Sequence, residues 1–243
     1  MKLQGIFVPV AIPFDHNGDL YAVKVQHNIE KWNRTGITGF VVSGCESAYL
    51  SSAEKIRMWE WVAQYAAPEK MLIAWTGRPS VHETLELTNR AAELGYKAAM
   101  VAGSDGVYAC AVADRSPIPV ILEGGEFAHP NIAPQRVATC AVNLADSFAA
   151  GATAAIIEFA NAAPYAAISI WEAHRTREHE AALDWQTRIA RAVELVTNKY
   201  GVAGLKHAMD LNGYYGGPPR LPLVGLTPDA KKEIERAFDG LKG

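Results

Sequence analysis

The chain has 243 residues, of which 49% are hydrophobic and 20% charged, so it can bury the core of one sizeable domain. Its formal net charge of −3 argues against a nucleic-acid-binding protein, which needs clustered positive charge, and leaves a small molecule as the expected partner. No apolar run is long enough to cross a membrane and the first residues do not resemble a signal peptide, so we expect no membrane contact and a cytoplasmic location.

Apolar runs typical of strands alternate along the chain with amphipathic segments typical of helices. The predicted strands are residues 5–13, 39–43, 71–75, 97–101, 118–122, 136–141 and 153–158. Their continuous apolarity indicates burial on both faces, as in a parallel sheet. The predicted helices are residues 21–34, 52–66, 80–94, 143–150 and 165–178, with further helices in the carboxyl-terminal third.

Two of the predicted helices begin with the pattern of a side-chain cap. Ser51 or Ser52 precedes Glu54, and Ser80 precedes Glu83. In such a pattern the serine oxygen accepts from free N–H groups of the first turn. The sequence therefore predicts that a serine side chain caps the first turn of each of these two helices.

Repeated strand–helix units predict an α/β fold of the TIM (β/α)8-barrel type, incomplete around the sixth strand. We expect residues 1–180 to form the barrel, shortened between residues 102 and 137, and residues 181–243 to form a helical extension packed on it. Functional side chains of such barrels lie at the carboxyl ends of the strands. Those ends are where candidate site residues are sought.

Seven segments, in order along nearly the whole chain, resemble those of the pyruvate-dependent class I aldolases of the dihydrodipicolinate synthase and N-acetylneuraminate lyase family. They are PVAIPFDHNGDL at 9–20, GITGFVVSGCESAYLSSAE at 36–54, residues 77–95, residues 117–122, HPNI at 129–132, GATAAIIEFANAAP at 151–164 and GLKHAMDLNGYYGGPPRLPL at 204–223. The resemblance implies the barrel fold, and it implies lyase chemistry in which a lysine at the end of the sixth strand forms an imine with a 2-keto acid.

That lysine is missing from the expected place. In the family it follows HPNI almost directly, whereas here HPNI runs into APQRVATCAV, and no lysine lies between Lys97 and Lys199. Lys97 begins a predicted strand, at the end of a barrel that usually serves stability. Lys206 matches a lysine of the family's helical tail, where we expect a structural role. Pyruvate aldolase activity through an imine is therefore predicted to be absent.

Other family features are altered at the same end of the barrel. The segment that carries the proton-relay threonine is shortened and reads Gly44, Cys45, Glu46, and Glu123 stands at the position of a tyrosine after strand five. The fourth strand runs into a turn sequence at residues 102–106, and only 14 residues separate Leu122 from Val137. These changes all fall on the catalytic half of the inherited barrel.

Three explanations fit this pattern. The first, which we favour, is an engineered derivative in which pocket positions of an aldolase scaffold were rewritten. The second is a natural homologue that lost catalysis and persists as a binding or assembly module. The third is a sequence from which segments have been left out.

Three large or acidic side chains are expected to point into the barrel mouth. Trp75 stands where the family has a small glycine after strand three, Glu158 where it has serine or another small residue on strand eight, and Glu123 at the tyrosine position. A carboxylate in apolar surroundings has a raised pKa and becomes a useful base. The alternatives are a gap-filling Trp75 and a solvated Glu123.

Further candidates carry less of the argument. Cys45 and Cys140 lie near strand ends and are predicted to line the substrate pocket, although small buried apolar residues are the simpler interpretation. Glu123 and Glu158 also resemble the two acids of a glycosidase. They lack the additional ligands expected of a metal site, so no metal is predicted. No cofactor is predicted either. His174, Arg175, Arg177 and His179 are interpreted as a solvated helix face.

The sequence thus predicts a remodelled aldolase-family barrel with catalytic Glu123 and Glu158 and with Trp75 stacking on a planar small molecule. One alternative is a carbon–carbon lyase that uses a displaced lysine such as Lys206, and another is a non-catalytic binding protein. The shortened segments would expose a sheet edge, so a homo-oligomer is expected.

Overall fold

The computed structural model describes residues 1–44, 46–103, 105–124, 128–133 and 136–241. Within them, parallel strands form a seven-stranded sheet in the order β5-β4-β3-β2-β1-β7-β6. The strands are β1 Gly5–Pro9, β2 Gly39–Val42, β3 Met71–Trp75, β4 Ala98–Ala102, β5 Val120–Glu123, β6 Val137–Ala138 and β7 Ala154–Ile156. The predicted strands are confirmed in number and order.

Helices cover the outer face of this sheet and continue beyond it. They are α1 Ala22–Asn33, α2 Ser52–Tyr65, α3 Val81–Glu93, α4 Gly106–Ala113, α5 Leu144–Ala149, α6 Pro164–Arg175, α7 His179–Val193, α8 Gly201–Leu211 and α9 Pro228–Ala237. Short 3-10 turns lie at Ser47–Tyr49 and Glu158–Asn161, and a π-helical turn lies at Glu194–Lys199. No helix of the described residues is long and apolar enough to span a membrane.

The curled sheet forms a half-barrel. In the described part of the chain β5 and β6 do not pair, so the ring of strands stays open between them. The end of the HPNI motif returns beside β5 for a single parallel bridge, between Val120 and Ile132. The N–H of Ala133 donates to the carbonyl of Val120 over 2.9 Å. The fold is thus of the TIM-barrel type, with the ring of strands open between β5 and β6 among the described residues.

Two apolar layers hold the half-barrel together. Val8, Phe40, Trp32 and Trp59 belong to the larger cluster, between the sheet and the outer helices, and each is fully buried. A smaller cluster packs on the inner face of the strands and includes Phe7, Val41, Ile73, Met100, Ile121 and Ile156. Each fully buried large side chain contributes about 1.5–3 kcal/mol.

The predicted helix caps are present. The hydroxyl of Ser51 accepts from the N–H of Glu54, whose carboxylate accepts in return from the N–H of Ser51, which makes a capping box at the start of α2. The hydroxyl of Ser80 accepts from the N–H of Glu83 at the start of α3. Both caps fix the direction in which the chain leaves the end of a strand.

Several boundaries differ from the sequence prediction, and the first strand, expected at 5–13, ends at Pro9. The turn sequence after β4 is also a helix start, since Asp105 Oδ1 accepts from the N–H groups of Val107 and Tyr108 and opens α4. The strand expected at 136–141 is limited to Val137–Ala138. The strand expected at 153–158 ends at Ile156, so that Glu158 starts a 3-10 turn instead of ending a strand.

Candidate functional site

A cavity of about 250 Å³ lies at the carboxyl ends of the strands, inside the half-barrel. Pro9, Trp75 and Glu123, the last residues of β1, β3 and β5, contribute to its wall. The other lining residues are Val41, Gly44, Met100, Thr139, Ala141, Ile156, Glu158, Phe159 and Thr197. The end of the barrel that usually carries function therefore holds an enclosed volume in this chain.

The structure brings together three of the residues predicted to form the site. Trp75, Glu123 and Glu158 all line this cavity, although they are separated by up to 83 residues in the sequence. The indole of Trp75 and two carboxyl groups therefore share one small chamber. Such a chamber suits a flat molecule that carries an acidic or basic group.

A close approach of two loops fixes the position of Glu123. Glu123 pairs in register with Ala102 on β4, and its carbonyl accepts from the N–H of Gly103 over 2.9 Å. A β-carbon at Gly103 would lie 1.7 Å from the carbonyl oxygen of Gly124, so only glycine allows the two backbones to approach this closely. The end of β5 is thereby held against the end of β4.

Asn161 fixes the backbone that carries Glu158. Its fully buried amide donates to the carbonyls of Pro9 over 2.8 Å and Glu158 over 2.9 Å, and its oxygen accepts from the N–H of Ala11 over 2.9 Å. The 3-10 turn is thus fastened to the end of β1. This network places Glu158 at the cavity wall despite its departure from strand geometry.

The carboxyl groups of the site interact electrostatically. Partial desolvation, and next the negative charge of Glu158, raise the pKa of the Glu123 carboxyl above its usual range. Glu158 also contributes to the raised pKa of Glu46, for which burial is the largest cause. A carboxyl group with a raised pKa holds or accepts a proton closer to neutral pH than an ordinary acid does.

Of the two cysteines predicted to line the pocket, only Cys140 lies among the described residues. Cys140 is exposed and is not among the lining residues, whereas its neighbours Thr139 and Ala141 line the cavity. The exposed Cys140 side chain thus lies outside this cavity wall. Cys45 lies outside the described residues.

Two hydroxyl residues at the cavity were missed by sequence reasoning. Thr139 follows β6, and Thr197 lies on the π-helical turn between α7 and α8. Single π-helical turns inside α-helices occur often at functional sites. The helical periodicity of the segment gave no signal for this turn, since it adds one residue to a single helical turn.

Lys206 is buried, and its amino group contacts two backbone carbonyls and the Glu46 carboxyl group. Its Nζ donates to the carbonyls of Ile12 over 2.7 Å and Pro218 over 3.3 Å, and it lies 3.1 Å from Oε1 of Glu46. Its side chain is 1% exposed. These contacts are those of a charged structural lysine, which agrees with the role expected for it.

No lysine is among the described residues that line the cavity. Lys55, on α2, is fully buried, and desolvation, followed by the charge of Arg78, lowers its pKa to about 8. A lysine with such a pKa is a better nucleophile than an ordinary one. Its position outside the cavity wall separates it from Trp75, Glu123 and Glu158. The described residues also contain no cluster of three or more His, Cys, Asp or Glu side chains arranged to hold a metal ion.

Comparisons with known proteins agree with the fold and the motifs. The profile of the dihydrodipicolinate synthetase family matches residues 2–102. A 4-hydroxy-tetrahydrodipicolinate synthase from Exiguobacterium sp. is 26% identical, with 97% of each chain covered. The family profile thus matches the amino-terminal part of the chain, and the relative resembles the chain over nearly its full length.

Solved structures show the same fold. N-acetylneuraminate lyase from Proteus mirabilis superposes with a TM-score of 0.83 at 22% identity over 99% of each chain. Dihydrodipicolinate synthase from Bacillus anthracis superposes with a TM-score of 0.86 at 20% identity over 98% of each chain. The family fold thus extends over the whole half-barrel and the carboxyl-terminal helices.

The comparison with the Exiguobacterium enzyme also reveals a difference in length. The alignment spans 283 positions, more than the 243 residues of this chain, while it covers 97% of both proteins. The relative therefore contains internal segments that this chain lacks. The gap in the ring between β5 and β6 is where the sequence is short.

Proposed function

We propose that this chain is a remodelled member of the aldolase family in which carboxylate chemistry replaces imine chemistry. The substrate is a small planar molecule with an acidic C–H group, which stacks on Trp75. Glu123 or Glu158 removes the proton. The observation that supports this proposal is the convergence of Trp75, Glu123 and Glu158 on one cavity whose described wall contains no lysine.

The contacts of Lys206 argue against the alternative of a displaced catalytic lysine. An amine must lose its proton before it attacks a keto group. The two carbonyl acceptors and the Glu46 carboxylate around Lys206 Nζ instead favour the ammonium form. A pyruvate molecule would also need access to a nitrogen whose side chain is 1% exposed.

The electrostatics of the carboxyl pair favour general acid–base work. Partial desolvation, and next the negative charge of Glu158, raise the pKa of Glu123 toward the range in which a carboxylate works as a general base. A positioned general base contributes a factor of about 10²–10⁴ to a rate.

The size of the cavity limits the substrate. A volume of about 250 Å³ lies below the range of roughly 300–1,000 Å³ typical of drug-sized ligand pockets. A single substituted ring or a short conjugated acid fits this limit. The apolar residues Val41, Met100 and Ile156 in the wall favour the flat, poorly hydrated face of such a ring.

A benzisoxazole tests for the base directly. A base removes the C3 proton of 5-nitrobenzisoxazole as the N–O bond breaks, and the oxygen leaves as a coloured cyanonitrophenolate. The parent protein is compared with Glu123→Gln, Glu158→Gln and the control Glu86→Gln, which changes an exposed acid outside the cavity. Binding is followed in the same samples through the fluorescence of Trp75, with Trp75→Phe to assign the signal.

The expected result is a rate that rises with pH through a midpoint above 4.5, the ordinary value of a glutamate. One of the two cavity variants should lose at least tenfold in rate while it still binds the ring. Equal rates in all variants would exclude the base. Binding without turnover in the parent would leave a non-catalytic binding protein, the second candidate function.

A further inference from the structure

A π-helical turn brings one residue of the carboxyl-terminal helices to the candidate functional site. The turn spans Glu194–Lys199, between α7 and α8, and its residue Thr197 lines the cavity of about 250 Å³. The other described lining residues lie on the half-barrel, between Pro9 and Phe159. Among the described residues, Thr197 is thus the sole contribution of the carboxyl-terminal helices to the cavity wall.

Two glycines adapt the chain to this turn. The N–H of Tyr200 donates to the carbonyl of Leu195 over 2.8 Å, a separation of five residues. Gly201 follows with φ of 52°, in the left-handed region that favours glycine. A β-carbon at Gly204 would lie 2.8 Å from the β-carbon of Tyr200, so α8 packs this closely against the turn only with glycine. The turn is therefore built into the sequence around it.

A carboxylate on α9 binds the carboxyl-terminal end of the turn. Oε2 of Glu233 lies 2.7 Å from Nζ of Lys199 and accepts from the hydroxyl of Tyr200 over 2.6 Å. Arg191, on α7, also contacts the Glu233 carboxylate. Three partners on one carboxylate form a charge-assisted network, which holds its geometry better than an isolated surface pair does. Glu233 therefore fixes the turn between α7 and α9.

The hydroxyl of Thr197 differs from other helical hydroxyls of this chain. Thr187, on α7, donates over 2.9 Å to the carbonyl of Leu183, four residues before it. Ser169, on α6, donates in the same way to the carbonyl of Tyr165. The hydroxyl of Thr197 makes no hydrogen bond with any described residue. It is therefore available to a ligand in the cavity that Thr197 lines.

The charge of the cavity wall limits the group that this hydroxyl can bind. The described lining residues include two acids, Glu123 and Glu158, and no Lys, Arg or His. A ligand carboxylate would be repelled by these acids and would find no counter-charge in this part of the wall. A neutral keto oxygen accepts a hydrogen bond from a hydroxyl without that repulsion. The C–H bonds beside a keto group are also acidic, as the proposed function requires.

We infer that the cavity binds a neutral planar ketone, whose keto oxygen accepts a hydrogen bond from the hydroxyl of Thr197. This inference rests on the proposed function, because it names the substrate class of the same site. Glu123 or Glu158 takes a proton from the carbon beside the keto group, and the electron pair of that C–H bond moves onto the oxygen to give an enolate. Thr197 stabilises the charge that develops there. Glu233 acts through the turn as a positioning residue.

Calorimetric titration with three ring compounds tests the ligand class without any need for turnover. Acetophenone carries a neutral keto oxygen, ethylbenzene has no acceptor and benzoate carries a charged one. Thr197→Val replaces the hydroxyl by a methyl group. It should weaken acetophenone binding about fivefold, as expected for the loss of one neutral hydrogen bond, and should leave ethylbenzene binding unchanged.

Thr187→Val is the matched control, because it removes an exposed helical hydroxyl outside the cavity. It should bind all three compounds like the parent. Equal losses for acetophenone and ethylbenzene in Thr197→Val would overturn the inference. Tighter binding of benzoate than of acetophenone by the parent would overturn it as well.

Glu233→Gln tests the positioning role. It should lower the affinity for acetophenone relative to that for ethylbenzene, as Thr197→Val does, whereas Lys232→Gln, an exposed neighbour on α9, should leave this ratio unchanged. A merely structural Glu233 would lower the unfolding temperature and leave the ratio at the value of the parent, which would overturn the positioning role.

Exchange of the acetophenone methyl protons for deuterium, followed by NMR in D₂O, reports the proton step separately. Exchange that Glu123→Gln or Glu158→Gln slows at least tenfold would support both the ketone assignment and the proposed base. Binding that depends on Thr197 without any exchange would support the ketone assignment and contradict the proposed base.

Discussion

The Nζ of Lys206 lies 3.1 Å from Oε1 of Glu46, and the two side chains are 1% and 0% exposed. This contact joins α8 to the segment that follows β2, across 160 positions of the sequence. Oε2 of Glu46 also accepts from the N–H of Ile12 over 2.9 Å. The pair thus ties three separate parts of the chain together beneath the candidate functional site.

Removal of Lys206 is expected to be costly. In Lys206→Met the Glu46 carboxyl stays buried without its counter-charge, which should lower the free energy of unfolding by about 3–5 kcal/mol. The double variant Glu46→Gln with Lys206→Met should recover much of this loss, because no buried charge is then unpaired. Urea unfolding at pH 7 measures both, and Lys231→Met on exposed α9 surface is the control. A loss below about 1 kcal/mol in the single variant would show that the pair contributes little.

Glu54 should contribute acid-sensitive stability. A hydrogen bond from Arg220, as the largest cause, lowers its pKa to about 2. Because the folded value lies below the ordinary 4.5, this contribution is present above pH 4.5 and is lost as the pH falls from about 4.5 toward 2. Glu54→Gln keeps a side chain that can complete the capping box. Between pH 4.5 and pH 2, its free energy of unfolding should fall by about 1–2 kcal/mol less than that of the parent.

Guanidinium unfolding at intervals between pH 2 and pH 7 checks the Glu54 prediction. The lowered pKa of Glu233 makes the parent acid-sensitive as well, but it is present in both proteins and cancels in the comparison. Parallel pH curves for the parent and Glu54→Gln would contradict the assignment to Glu54.

Pyruvate is not expected to form an imine with this chain. The protein is incubated with pyruvate and borohydride, which reduces any imine to a stable adduct, and its mass is then measured. We expect the mass to stay at the 26.3 kDa of the unmodified chain. A stoichiometric adduct on one lysine would contradict the proposed carboxylate chemistry, and peptide mapping would show whether Lys206 or Lys55 carries it.

A homodimer or tetramer is expected in solution. Within the described residues, β5 and β6 lie at the two ends of the sheet order, and a sheet edge invites pairing with another chain. Light scattering at micromolar concentration measures the assembly. A monodisperse species of 26.3 kDa would contradict this prediction.

Local pattern was sufficient for much of the fold. Continuous apolar runs located the strands, and Ser51 and Ser80 marked two helix starts, because burial on both faces and capping depend on residues close in sequence. The family motifs supplied the barrel, and with it the expectation that Trp75, Glu123 and Glu158 point toward one mouth. Helix α4 was missed because Asp105 and Gly106 form both a turn and a cap.

By itself the sequence predicted an incomplete barrel and the three side chains that line the cavity at its carboxyl end. Only the tertiary structure decided that Thr197 reaches the cavity and Cys140 does not, since a π-helical turn and a shortened strand set where those side chains point. The residues interpreted as a solvated helix face, from His174 to His179, line a cavity with the amino ends of β1 and β7. Whether such residues meet depends on how distant elements pack. The periodicity of a single helix or strand carries no information about that packing.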